Sequence, residues 1–281
     1  MSAEGPHIKV THDGAVGILT IDRRDRFNSL DVQTARELRK AGLQLTRDDA
    51  VRCVVVRGSG GIFCSGADLK YIRAGGDAKD LGYLTPEARG KQPGYGAIFK
   101  QILEYLHATI SELRRAPKPV IAAVDGVAAA GGMGLAMCCD LVIASERSSF
   151  EYAYFKTALC GAESSTFFLP KLVGLRRAME LALLNPRLTA RQAKEQGLVS
   201  EVYPDATYEA DVLAVARRLS EGPTASYAAA KQLMNEAAGV DRLDYHLDRE
   251  LELLAASADS EDFKEGITAF FEKRPPKFQG K

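Results

Sequence analysis

The sequence predicts an α/β fold that passes into a helical C-terminal region. Strand-length β-branched runs alternate with helix-period stretches across residues 15–144. Beyond Pro170 the apolar spacing is almost entirely helical, and two turns of small residues follow strands.

The first strands are expected at residues 15–21 (AVGILTI) and 51–57 (VRCVVVR). Between them Val32, Ala35, Leu38 and Leu45 recur at helical spacing, with Asp31 placed to cap the helix. Ile98, Ile102, Leu106, Ile110 and Leu113 mark one face of a long amphipathic helix. Further strands fit residues 119–124 and 141–144. Residues 74–96 are rich in Gly, charge and turn formers, and read as a surface loop, a candidate lid. Helices are expected over residues 179–184, 190–196, 208–219, 225–238 and 243–256. An α/β core over residues 1–200 is thus expected to precede a helical region over 201–281.

Composition excludes several classes. Lys+Arg and Asp+Glu both number 37, so a neutral chain with no basic stripe gives no reason to expect nucleic acid. Cys53, Cys64, Cys138, Cys139 and Cys160 are odd in number and lie in apolar surroundings, which suits reduced thiols in a cytoplasm. The first seven residues lack the apolar run of a secretory signal. The most apolar stretch, residues 120–144, is interrupted by Asp125 and Asp140 and does not read as a membrane span.

The chemistry concentrates in two turns. One runs Phe63-Cys64-Ser65-Gly66-Ala67-Asp68-Leu69; the other covers residues 125–135 (DGVAAAGGMGL) and enters a helix. Small residues let a ligand approach the backbone, and a helix N-terminus offers unpaired N–H donors. Neither turn has the spacing of a phosphate loop or a dinucleotide fingerprint. Cys64 has no histidine nearby in sequence, which favours a small buried residue over a nucleophile.

Together with Cys139-Asp140-Leu141-Val142-Ile143-Ala144, these turns resemble the enoyl-CoA hydratase/isomerase (crotonase) superfamily. Arg26-x-Asn28-Ser29-Leu30, residues 118–124 (KPVIAAV), Ala193-Lys194-x-x-Gly197-Leu198-Val199 and Phe270-Phe271-Glu272-Lys273-Arg274 extend the resemblance over nearly the whole chain. It implies a core of repeated ββα units and C-terminal helices that build homotrimers or hexamers. It also implies an acyl-CoA substrate, with coenzyme A entering as the thioester and no separate cofactor or metal. The two oxyanion-hole amides fall on Ala67 and Gly131. Preorganised donors aimed at a thioester oxygen that gains charge are typically worth ~2.7–4 kcal/mol each. Ser65, Asp68, Leu69 and Gly132 belong to the substrate-binding turns, with Asp68 as a structural acid. Arg24, Arg26 and Lys273 are candidates for the CoA phosphates, against the plainer reading of solvated surface charges.

The pattern also departs from the family. The two glutamates of its hydratases fall on Gly134 and Tyr154, so two-carboxylate hydration is disfavoured. Isomerases and aryl-CoA dehalogenases carry one acid further on; an ungapped match puts it at Ala162, with Glu163 next. Residues 174–204 resemble these branches, yet an alanine cannot serve as the dehalogenase nucleophile. Glu163 has two readings, a proton-transfer base over the substrate or an ordinary helix-start acid. Tyr154 likewise either donates a hydrogen bond to the reacting group or fills the pocket. One carboxylate suffices to carry a proton between carbons, which favours an isomerase- or lyase-type enolate reaction. The pocket is expected to be built from Ala129, Met133, Tyr154 and the loop over residues 74–96, which suits a bulky or aromatic acyl group. The competing readings are an acyl-CoA-binding pseudoenzyme and a hydrolase or hydratase with an unusual base.

Overall fold

The computed structural model describes residues 6–82 and 94–281. Its strands are β1 (Ile8–Asp13), β2 (Val16–Ile21), β3 (Cys53–Gly58), β4 (Val120–Val124), β5 (Val127–Ala129), β6 (Leu141–Ser145), β7 (Ser149–Glu151), β8 (Leu188–Thr189) and β9 (Glu201–Tyr203). The helices are α1 (Val32–Arg47), α2 (Leu69–Arg73), α3 (Tyr95–Arg115), α4 (Gly131–Met137), α5 (Ser165–Val173), α6 (Leu175–Leu183), α7 (Ala190–Glu195), α8 (Tyr208–Glu221), α9 (Thr224–Ala237), α10 (Leu243–Ala258) and α11 (Glu261–Glu272).

The main sheet runs β1-β2-β3-β4-β6-β9. Only the β1–β2 pair is antiparallel; the others are parallel. Parallel strands need cover on both faces, and β2 and β4 are buried along their whole length. Tyr208, Val212 and Ala216 of α8 cover one face, over Val16, Cys53, Val55 and Ile121. The opposite face belongs to the main core, with Leu38 and Leu45 of α1 and Ile102, Leu106 and Ile110 of α3. A small second sheet, β5-β7-β8, carries the entry to α4.

The expected elements are present, with shifts that packing explains. Asp31 caps α1 by accepting the Thr34 N–H at 2.8 Å. Helix α3 begins inside the expected loop, at Tyr95, whose ring stands edge-on to Phe263 at 5.2 Å. Residues 78–80 form a 3-10 turn, and residues 83–93 of the expected lid lie outside the described residues. Helix α5 continues through Pro170, where one intrahelical hydrogen bond is missing. Strand β9 joins the main sheet, so the chain enters the C-terminal helices from the sheet edge. Those helices fold back over the core, and α10 lies along α3. No helix among the described residues is long and apolar enough to cross a membrane.

Candidate active site

The two small-residue turns are bound to each other by backbone. Cys64 donates its N–H to the Val127 carbonyl and accepts from the Ala129 N–H, both at 3.0 Å. Leu30 grips the first turn by donating to the Gly66 carbonyl at 2.8 Å and accepting from the Asp68 N–H at 2.9 Å. These bonds use the groups on either side of Ala67. Among the described residues its own N–H has no acceptor, and neither has the N–H of Gly131, the first residue of α4. The turns are in contact: a Cβ on Gly66 would lie 3.2 Å from the Gly131 nitrogen.

Ala130, just before α4, has φ 45° and ψ −118°. A non-glycine residue pays roughly 1–3 kcal/mol for such a conformation, so its surroundings must impose it. Its N–H is tied to the Glu151 carbonyl at 3.0 Å, and its φ/ψ sets the direction of the Gly131 amide. The first turn of α4 adds the partial positive charge of a helix start.

Glu163 closes the other side. It is fully buried rather than a solvated helix-start acid, and it precedes α5 with φ 52°, followed by Ser164 at φ 62°. Two successive left-handed non-glycine residues cost roughly 1–2 kcal/mol each. The turn brings the carboxyl so close to Gly131 that a Cβ there would sit 2.9 Å from Oε1. Burial pushes the Glu163 carboxyl up to about 7; the Tyr154 hydrogen bond opposes the rise and the charge of Glu250 adds to it. Ala162, at the ungapped position, buries its methyl and offers only its carbonyl.

The Tyr154 hydroxyl lies 2.9 Å from the Ala162 carbonyl and 2.5 Å from Glu163 Oε2. A phenol has one proton to give. When it goes to the carbonyl, the short contact to Oε2 is a hydrogen bond only if Glu163 carries a proton. The Tyr154 hydroxyl is therefore directed at Glu163, while its ring lines the pocket. Burial and then the neighbouring Glu163 hold the phenol well above its ordinary range.

These groups border a cavity of about 400 Å³. Ala67, Glu163, Tyr154, Arg26, Ser65, Asp68 and Leu69 all line it. Gly131 lies one residue behind Ala130, which does line it, and Gly132 is packed against the Cys64 carbonyl. Lys273 is exposed at the end of α11 and does not border the cavity. Arg26 and Asp68 are committed to each other: Arg26 Nη2 donates to Oδ1 at 2.7 Å, and Arg23 Nη2 reaches Oδ2 at 3.1 Å. Asp68 also caps α2 through the Tyr71 N–H, so it is a structural acid at the cavity mouth. Arg24 is spent on Ser59 and Asp22. Burial drives the Cys64 thiol up to about 12, which suits an inert core residue. Met133, in a position to face the pocket by sequence, is buried in the core instead.

Sequence reasoning passed over Phe99, Leu159 and Leu254, and met Phe270 only in a family motif; the four supply much of the apolar lining. It also passed over Glu250, whose carboxylate accepts the Ser164 and Thr166 N–H groups at 2.8 and 3.1 Å. Glu250 stands 86 residues from Ser164, and no local motif announces so distant a contact.

A buried carboxyl thus lies beside the free Gly131 amide and lines the same cavity as Ala67, whose amide is also free. Residues 11–281 match the family model described as Enoyl-CoA hydratase/isomerase, and the chain belongs to that family, the crotonase superfamily of acyl-CoA enzymes. It is 36% identical to a 1,2-epoxyphenylacetyl-CoA isomerase of Escherichia coli, over 94% of both chains. It is 31% identical to a 4-chlorobenzoyl coenzyme A dehalogenase of an Arthrobacter species, over 95% of this chain and 91% of the relative. A crystal structure of an enoyl-CoA hydratase from Mycobacterium avium subsp. paratuberculosis superposes with a TM-score of 0.83 at 32% identity. That match covers 97% of this chain and 98% of the other.

Proposed function

We propose that this protein is an isomerase-type acyl-CoA enzyme in which the Ala67 and Gly131 amides hold the thioester oxygen and Glu163 carries the proton. The carrying observation is that one fully buried carboxyl, pushed up to about 7, abuts the first residue of α4. In such a reaction Glu163 removes a proton from a carbon conjugated with the thioester. The electron pair moves onto the carbonyl oxygen, the amides stabilise that charge, and Glu163 returns the proton to a second carbon. A general base near neutrality suits this work. Coenzyme A enters as part of the substrate, and the chemistry calls for no further cofactor.

Hydration by the two-glutamate route lacks both carboxylates, and a dehalogenase nucleophile has no counterpart at Ala162. The acyl group is taken to be bulky or aromatic. The apolar lining from Phe99, Leu159 and Leu254 supports this, and so do the two aryl acyl-CoA relatives. Exposed Leu175, Met179 and Leu183 repeat every fourth residue along α6 and support burial against further copies as a homotrimer or hexamer. The free cysteines suit a cytoplasmic setting.

The test is α-carbon deuterium exchange of an arylacetyl-CoA in heavy water. Exchange that Glu163→Gln abolishes supports the reading. Background exchange by the wild-type protein across an acyl-CoA panel would leave it an acyl-CoA binder without proton transfer.

A further inference from the structure

The acid proposed to carry the proton is held in place by a second buried acid from another part of the chain. Glu250 lies on α10 and is 4% exposed. Its carboxylate takes the Ser164 N–H on Oε2 and the Thr166 N–H on Oε1, and the Thr166 hydroxyl also donates to Oε1. Ser164 and Thr166 bracket the start of α5, immediately after Glu163. A helix start needs acceptors for its first N–H groups, and here no side chain of the adjoining turn caps them. Glu250 does so from α10, and it engages the turn whose left-handed residues point Glu163 back toward Gly131.

We propose that Glu250 is a positioning residue: its carboxylate clamps the Glu163–Ser164 turn and thereby aims the Glu163 side chain at the Gly131 amide. This rests on the reading of Glu163 as the proton carrier. The C-terminal helical region is then part of the catalytic apparatus, because without α10 the turn loses its acceptor.

The clamp also places a second negative group beside Glu163, and that charge helps to raise its pKa. The titratable groups around the two acids are Tyr152 and Tyr154 from the segment after β7, Cys64, Cys160, His107 of α3 and His246 of α10. His107 Nε2 stands 3.7 Å from Glu250 Oε2, but burial holds its pKa down to about 4, so it brings no positive charge at neutral pH. His246 Nε2 lies 2.8 Å from the Thr166 hydroxyl, which joins it to the same cluster.

The experiment follows the titration of Glu163 itself, by carboxyl-carbon NMR of protein labelled at glutamate, with its signal assigned by its loss in Glu163→Gln. α-Proton exchange is measured on the same samples. Glu250→Gln keeps the shape and removes the charge, so the Glu163 midpoint moves down by about half a unit or more. The exchange rate falls while acyl-CoA affinity stays at the wild-type value. Thr166→Val removes a donor from Glu250 and leaves its charge less compensated, so the same midpoint moves up. A residue that only supported the fold would lower the melting temperature, and its neutralisation would shift the midpoint while the exchange rate of the folded protein, with Glu163 fully ionised, stayed at the wild-type value. An unmoved midpoint or a wild-type plateau rate of exchange in folded Glu250→Gln overturns the proposal. If Glu250→Gln does not fold, an unmoved or lowered midpoint in Thr166→Val overturns it. Exchange that survives in Glu163→Gln would instead refute Glu163 as proton carrier, a result distinct from the titration.

Discussion

The backbone carbonyl of Glu163 occupies the space that a side chain on Gly134 would need: a Cβ there would lie 2.2 Å from that oxygen. Gly134 is the position at which the family resemblance puts the first hydratase glutamate. A side chain at position 134 and the present Glu163 turn are thus sterically exclusive. Any residue larger than glycine on this face of α4 would displace the turn that brings Glu163 against Gly131.

Gly134→Ala is therefore expected to destabilise the fold by at least about 2 kcal/mol, since a buried methyl would be driven into backbone. Gly134→Glu is expected to lose proton exchange without gaining hydratase activity. Urea denaturation and product analysis with a 2-enoyl-CoA check these outcomes.

Removing the carboxyl should slow chemistry and stabilise the protein. Glu163→Gln is expected to reduce α-proton exchange by roughly 10²–10⁴-fold with acyl-CoA affinity unchanged. The folded pKa is raised from 4.5 to about 7, so the native state binds the proton more tightly than the unfolded chain. The penalty for ionising the buried group is absent below 4.5, accumulates up to about 7 and is constant above. It amounts to roughly 3 kcal/mol. The glutamine variant should gain about that much over the wild type in denaturation at mildly alkaline pH, and almost nothing near pH 4.

As a base, Glu163 works only when ionised. The exchange rate should rise with pH and level off with a midpoint of about 7. A pH profile at saturating acyl-CoA, with no such limb in Glu163→Gln, is the measurement.

Tyr154→Phe removes the hydrogen bond that restrains the rise of the Glu163 pKa. The limb is then expected above the wild-type midpoint, with exchange reduced at neutral pH and recovered on raising it. A donor to the substrate would instead lose rate equally at every pH.

Asp68→Ala tests the structural acid. It strips two arginines of their common partner and uncaps α2. Breaking such a buried pair typically costs about 3–5 kcal/mol, which chemical denaturation would show. The pKa of Asp68 is lowered despite burial, by Arg26 and the Tyr71 amide. The wild-type contribution is therefore present above pH 3.8 and lost as pH falls through the depressed folded value. The difference between wild type and variant should shrink in acid.

Much of this protein was legible in one dimension. Apolar periodicity located α1, α3, α8, α9 and α10, and β-branched runs located β2, β3, β4 and β6, because helix and strand faces carry different periods. The turns over residues 63–69 and 125–135 were recognisable from their small residues and their resemblance to the family, which also implied a role for the Ala67 and Gly131 amides. Whether Glu163 faced the cavity or solvent was not legible. That depended on the left-handed turn at Glu163 and Ser164, on Gly134 making room and on Glu250 reaching in from α10. Sequence thus determined the family and the order of the elements. Tertiary structure decided which acid lies against the Gly131 amide, because a carboxyl's direction and pKa are set by residues far away in the chain whose burial and charge exist only once the helices have packed.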